Sequence, residues 1–287
     1  MFALLSHRGR SIAASLMLAC VAAALGLMQG LGSVDLALTD LLRVPSPPPA
    51  GRVVLIAIDD DSLARMGRWP WSRARYAAVL EQLALRQPRA IGMDILLTES
   101  GPPDEDRLLA DVMRRAGNVV LPVATQPDGA LLTPLPAFSS AAAATGRVDI
   151  HIDDDGLVRG VPLATGRPDH FAVAMARVGG EAIDLRACRT QAVCLLDFHE
   201  PDAGLQRYAA ADLLANLVPA EAIADAFVVV GVTATGLGDA YSTPGLPARG
   251  LRPGVDILGT AVDGLLAGQM AVRAPPWWNT LANALPV

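Results

Sequence analysis

Several stretches of this chain are apolar at nearly every position instead of alternating. Val53–Asp59, Ala90–Leu96, Val119–Ala124 and Ala226–Thr233 are of this kind, which predicts strands covered on both faces. Between them, Arg75–Arg86 sets Val79, Leu80 and Leu83 on one helical face. Glu105–Arg115, His170–Val178, Ala209–Leu217 and Gly254–Leu266 read as further helices. Arg147–Ile152 and Leu157–Ala164 flank Asp155–Gly156, the residue pair of a type I′ hairpin turn. The alternation predicts an α/β domain: an open, mostly parallel sheet, helices on both faces and one inserted antiparallel hairpin.

The two ends have another character. From Ile12 to Leu31 the chain is apolar, and no charge falls between Arg10 and Asp35. At about 1.5 Å per residue, roughly twenty helical residues match the 30 Å hydrocarbon core, so 12–31 is predicted to be a transmembrane helix. Arg8 and Arg10 precede it and favour a cytoplasmic 1–11, which sends the remainder outside. A cleaved signal peptide is the alternative, and it too exports the rest of the chain. Residues 32–52 contain Val44–Pro45–Ser46–Pro47–Pro48–Pro49–Ala50, a stiff extended linker. Residues 53–270 form the exported domain. Residues 271–287 carry Arg273, Pro275, Pro276, Trp277 and Trp278 ahead of a short apolar run, the opening of a second, truncated membrane helix.

Composition narrows the function. The chain is 52% hydrophobic and only 18% charged, and its net charge of −6 argues against a nucleic-acid partner. All 23 basic residues are arginine, which removes Schiff-base and Walker-type lysine chemistry. The histidines His7, His151, His170 and His199 stand in unrelated contexts, so no nucleophile–base pair is evident, and neither a catalytic residue nor a cofactor is expected. Cys20 lies in the membrane segment. Cys188 and Cys194 are close in the exported part, where a disulfide is the natural state, with two unpaired small hydrophobes as the alternative. No second cysteine or histidine pair suggests a metal.

Candidate chemistry lies at strand ends. Asp59 and Asp60 follow the first strand, Asp94 closes the second and Asp239 follows the last. In an open α/β sheet, ligands bind outside the carboxyl ends of the strands, so these four are expected to share a neighbourhood. Arg68 or Arg73 is the nearest internal counter-charge; helix capping and ion pairing are the structural alternative. Trp69 and Trp71, locked by Pro70, form a rigid loop able to stack on a ligand or to lie over the core, and Ser72 looks like a helix N-cap. Asp155 and Arg159 form a candidate ion pair next to Gly156. The loop after the last strand, with Gly231 and Gly236, lacks the spacing of a phosphate cradle, and Asp153–Asp154–Asp155–Gly156 lacks the calcium-hand pattern. An exported enzyme or metal- or phosphate-binding domain using the strand-end aspartates is the alternative to a binding module.

Four motifs occur in a fixed order: Val54–Leu55–Ile56–Ala57–Ile58–Asp59–Asp60, then Gly67–Arg68–Trp69–Pro70–Trp71–Ser72–Arg73, then Asp153–Asp154–Asp155–Gly156–Leu157–Val158–Arg159, then the run from Phe227 to Asp239 with Thr243–Pro244. Together they resemble the CHASE type 2 domain, an extracytoplasmic sensor module of bacterial signalling receptors, from about Asp40 to Gly268. The resemblance implies a non-catalytic periplasmic sensor held in the inner membrane, most simply as a homodimer. It further implies an unidentified small-molecule or environmental ligand, and a cyclase, diguanylate cyclase or kinase output outside this chain.

Overall fold

The computed structural model describes residues 51–189, 193–198, 204–244 and 251–273, together with Met17, Leu36 and Asp40. Apart from Met17, the predicted membrane helix at 12–31 lies outside the described residues, as does nearly all of 271–287. Among those described, no helix is long and apolar enough to cross a membrane. The chain divides into two compact units, one of Met1–Val44 with Arg273–Val287 and one of Pro45–Val272. The second unit holds the sheet, both cores and every candidate strand-end aspartate.

In chain order this unit begins with β1 (Val53–Ile58), α1 (Asp60–Met66), α2 (Arg73–Ala84), β2 (Ala90–Met93), α3 (Pro103–Ala116) and β3 (Val119–Thr125). Then come β4 (Leu131–Leu132), α4 (Pro136–Ser139), β5 (Ala144–Arg147), β6 (His151–Ile152), β7 (Val158–Val161) and α5 (Phe171–Val178). Next are α6 (Arg186–Arg189), β8 (Cys194–Leu195), β9 (Gln206–Ala209), α7 (Ala210–Leu214) and α8 (Ala220–Ile223). β10 (Phe227–Val232), β11 (Ala240–Tyr241), β12 (Arg252–Pro253) and α9 (Gly254–Ala267) complete the unit.

The main sheet is parallel through β5, β3, β2, β10, β1 and β9, with β4 antiparallel against the end of β3. β1 shows why its sequence does not alternate. Val54, Ile56 and Ile58 enter one core with Leu80 and Leu83 of α2, Leu109 and Met113 of α3 and Leu213 of α7. Val53 and Leu55 enter a second core with Phe171 and Met175 of α5 and Ile257 and Leu258 of α9. Both faces are covered, so both sets of positions must be apolar. The mixed α/β class and the mostly parallel sheet are as the apolar runs predict.

Local chemistry sets the helix starts. The Ser72 hydroxyl accepts from Arg75 N at 3.4 Å to open α2, two residues ahead of the predicted start. His170 does the same for α5, its Nδ1 accepting from Ala172 N at 3.2 Å while Nε2 faces Asp149 O at 3.2 Å. A ring with Nδ1 accepting and Nε2–H donating is neutral, and burial pushes the His170 pKa down to about 4.

The hairpin prediction needs two corrections. Arg147 belongs to β5 of the parallel sheet, pairing with Val123, so the hairpin proper is β6 with β7, and β8 adds a third strand. Pro162 cannot donate to a ladder and ends β7 early. The turn is not type I′, which requires positive φ at both central residues. Gly156 N donates to Asp153 O at 2.8 Å and Asp153 N to Leu157 O at 2.9 Å, and within this turn only Gly156 has positive φ, at 81°. This is a type I turn followed by a left-handed glycine, the common three-residue hairpin loop. A disulfide joins Cys188 of α6 to Cys194 of β8, with a Cα separation of 5.5 Å.

Candidate functional site

Because β1, β10 and β2 are parallel neighbours, their carboxyl ends lie along one edge: Ile58 is level with Val232, and Met93 with Val230. The aspartates following them therefore share that edge, but not one role. Asp59 caps α1, Oδ1 accepting from Ser62 N at 2.8 Å. Asp60 reaches across to the loop after β10, accepting from Thr235 N at 3.2 Å and from its hydroxyl at 2.9 Å. These two carboxylates fasten the local backbone and the loops to one another.

Asp94 and Asp239 are different. The Asp94 backbone N–H continues the β10 ladder through Val230 O at 2.8 Å, while its partly buried side chain makes no ion pair among the described residues. Burial, and then the neighbouring charge of Asp239, push the Asp94 carboxyl up to about 7. Tyr241 closes the group. Burial, together with the charges of Asp239 and Asp94, raises its pKa. Tyr241 is not among the residues that the sequence singles out, although its place two residues after Asp239, ahead of Thr243–Pro244, is a usable signal.

The first turn of α9 forms the floor of this group. Gly254 N donates to Asp239 O at 2.8 Å. A Cβ placed on Gly254 would stand 3.5 Å from the Tyr241 ring and 3.6 Å from Asp239 Cβ. Gly231 of β10 is closer still to its neighbours. A Cβ there would meet Val255 Cγ2 at 2.6 Å and Asp94 Cβ at 3.4 Å, so a side chain at 231 would displace the helix. An α-helix N-terminus carries partial positive charge, which favours the ionised carboxylates in front of it.

The tryptophan–arginine loop does not line this group. Trp71 is 4% exposed; its indole N–H donates to Gly67 O at 3.0 Å, Arg75 lies over its ring, and both Trp71 and Trp69 pack against Tyr76. Of the two roles the sequence offers for Trp69 and Trp71, this packing is that of a loop lying over the core. Arg73 is not the partner of Asp59. It binds Asp106 at 3.3 Å and Glu99 O at 2.8 Å and lies over Phe138. Arg68 is exposed and makes no ion pair among the described residues.

The remaining motif residues make local contacts. Arg159, 3% exposed, holds the hairpin loop, with Nη1 2.9 Å from Asp153 and Nη2 2.7 Å from Asp155. The guanidinium beside Asp155 holds that carboxyl below its usual range. Gly236 takes positive φ in the loop after β10, and Pro244 follows Thr243, whose hydroxyl accepts from the buried Arg252 at 3.3 Å. Among the described residues, no group of three or more histidine, cysteine, aspartate or glutamate side chains is placed to hold a metal.

Against known proteins, a family model described as the CHASE2 domain matches residues 16–286. No curated protein and no solved structure matches the chain.

Proposed function

The chain belongs to the CHASE2 family of sensor domains, and from that premise we propose that it is the ligand-sensing part of a bacterial membrane receptor, reading a cationic ligand at Asp94 and Asp239. One observation carries the choice of site: Asp94 is a partly buried carboxylate with a second carboxylate beside it and no guanidinium paired to it among the described residues. Burial and like charge both oppose its ionisation. A cation held between the two carboxylates relieves both effects, whereas a phosphate meets repulsion. Tyr241 lies beside both carboxylates, and the helix dipole supports the charged form. Asp59 and Asp60 serve as loop anchors. The domain performs no catalysis.

In this reading the run at 12–31 anchors the chain in the inner membrane, residues 53–270 lie in the periplasm, and 271–287 begins the return through the bilayer. Occupancy of the site biases two arrangements of the membrane helices within a homodimer, and a cyclase, diguanylate cyclase or kinase beyond this chain reads the result.

The test is thermal shift of the full chain, in detergent at pH 7.5, against a panel of metal cations, amines and guanidino compounds. A ligand at about 100 times its Kd adds about 2.7 kcal/mol of stability. At least one cation is expected to raise Tm in the native chain and not in Asp94→Asn or Asp239→Asn. A panel in which only anions stabilise, or in which the variants respond like the native chain, overturns the site. A periplasm-active reporter fused after Pro49 is expected to be active; activity of a cytoplasmic reporter there instead reverses the topology.

A further inference from the structure

Gly231 stands in the interior of the central strand, where glycine is normally a weakness because it loses backbone entropy and offers nothing to pack. Its φ is not positive, so backbone geometry does not demand glycine. Space does. Val255, the second residue of α9, occupies the volume a side chain at 231 would fill, and Asp94 lies against the same position. The adjacent Gly254 is bonded through its N–H to Asp239 and lies against Tyr241. The first turn of one helix therefore lies against Asp239 and Tyr241 and meets Asp94 across the Gly231 position.

The helix leads away from that site. Its fourteen residues span about 20 Å, from the carboxyl edge of the sheet toward the amino ends of the strands, where Gly259 receives the Leu205 side chain just ahead of β9. Gly268, in the left-handed region, ends the helix. The chain then passes Ala271, bridged to Leu195, and continues from Arg273 toward residues 274–287.

We infer that α9 is the element that carries the state of the Asp94–Asp239–Tyr241 site out of the domain, with the Val255–Gly231 contact as the point at which the site engages it. This rests on reading that group as the sensing site. The physical basis is the force between two carboxylates and a helix N-terminus. Ionised carboxylates attract the first turn; a proton or cation on them weakens that attraction. The other charged groups around Asp94 are engaged: Asp60 by Thr235, Asp59 by Ser62 N, and Asp256 of the first turn by Arg207 at 2.8 Å. Tyr241, its pKa raised, remains neutral. Asp94 is thus the group whose charge changes, and a helix packed along its length moves as a rigid body.

Protons serve as the probe. Amide hydrogen exchange of the full chain is measured at pH 8 and pH 5.5, corrected for intrinsic rates, while a carbon-13 carboxyl titration follows Asp94 directly. In the native chain, protection of residues 254–258 and 268–273 is expected to change several-fold between the two pH values. Asp94→Asn is expected to show one pattern at both. Gly231→Ala is expected to offset the helix, and Gly231→Ala with Val255→Ala to return it toward the native response, because the lost methyl groups vacate the space. If Asp94 titrates near neutrality while the helix responds alike in native chain and Asp94→Asn, the coupling is wrong and the site stands. If Asp94 titrates as an ordinary carboxyl, the site reading itself fails. A Gly231→Ala variant with native helix protection also overturns the coupling.

Discussion

Two acidic groups in this domain meet opposite fates. In the hairpin loop, Asp153 and Asp155 face a buried Arg159 with charge-assisted bonds of 2.7–2.9 Å, and Asp155 is held below the usual carboxylate range. At the carboxyl edge of the main sheet, Asp94 faces another carboxylate, and burial with that neighbour raises it to about 7. The same side-chain chemistry is a fastener in one place and a burden in the other. A buried carboxylate set beside a like charge marks a candidate place where the charge itself is used.

The largest expected effect breaks the fastener. Arg159→Ala leaves Asp153 and Asp155 without their guanidinium and is expected to cost about 3–5 kcal/mol, measured by urea unfolding at pH 7. A loss below about 1 kcal/mol makes the hairpin cluster dispensable and removes the contrast.

The burden carries the opposite sign. The Asp94 carboxyl is raised in the folded state above its ordinary value, so the unfolded chain ionises first as pH rises. Asp94 therefore costs stability progressively from about pH 4 to pH 7, reaching roughly 4 kcal/mol above that. Asp94→Asn is expected to stabilise the fold by a similar amount at pH 8 and by almost nothing at pH 4. Destabilisation at pH 8 contradicts the reading. His170 supplies a smaller effect of the reverse sense. Its folded pKa of about 4 lies below the ordinary value, so its contribution is full above pH 6.5 and is lost as pH falls toward 4, by roughly 3 kcal/mol. His170→Asn keeps a capping oxygen, and the difference between its pH–stability curve and the native one isolates this loss. Parallel curves would mean that the ring is accessible to protons in the fold.

The difference between the two groups also explains what can be read from the sequence. The parallel sheet is legible because strands buried on both faces cannot hide: Val53–Ile58 and Ala226–Thr233 have no polar side to alternate. The shared edge of Asp59, Asp60, Asp94 and Asp239 follows from strand direction alone. Which of them are committed locally does not. Asp59 is bound to Ser62 three residues away, but Asp60 is bound to Thr235, and no spacing rule pairs positions so far apart. Arg73 follows Asp59 by only one short helix and a loop yet binds Asp106 of α3. Trp71 and Trp69 illustrate how a rigid aromatic loop reads the same whether it covers a core or a ligand. Tyr241 escapes notice because its importance comes from the two carboxylates that the fold brings to it.

Strand order has a consequence for how the chain is made. β1 is the first strand of the unit to be synthesised, but its two neighbours are β9 and β10, with Val54 pairing with Gln206 on one side and with Val228 on the other. Neither partner exists until most of the unit has left the ribosome. Until then both edges of a six-residue apolar strand remain bare, the condition in which chains pair with the wrong partners. The domain cannot close vectorially from its amino end. Any chain stopping before Val232 leaves β1 without its full pairing, so the fold reports on its own completeness before it can report on anything else.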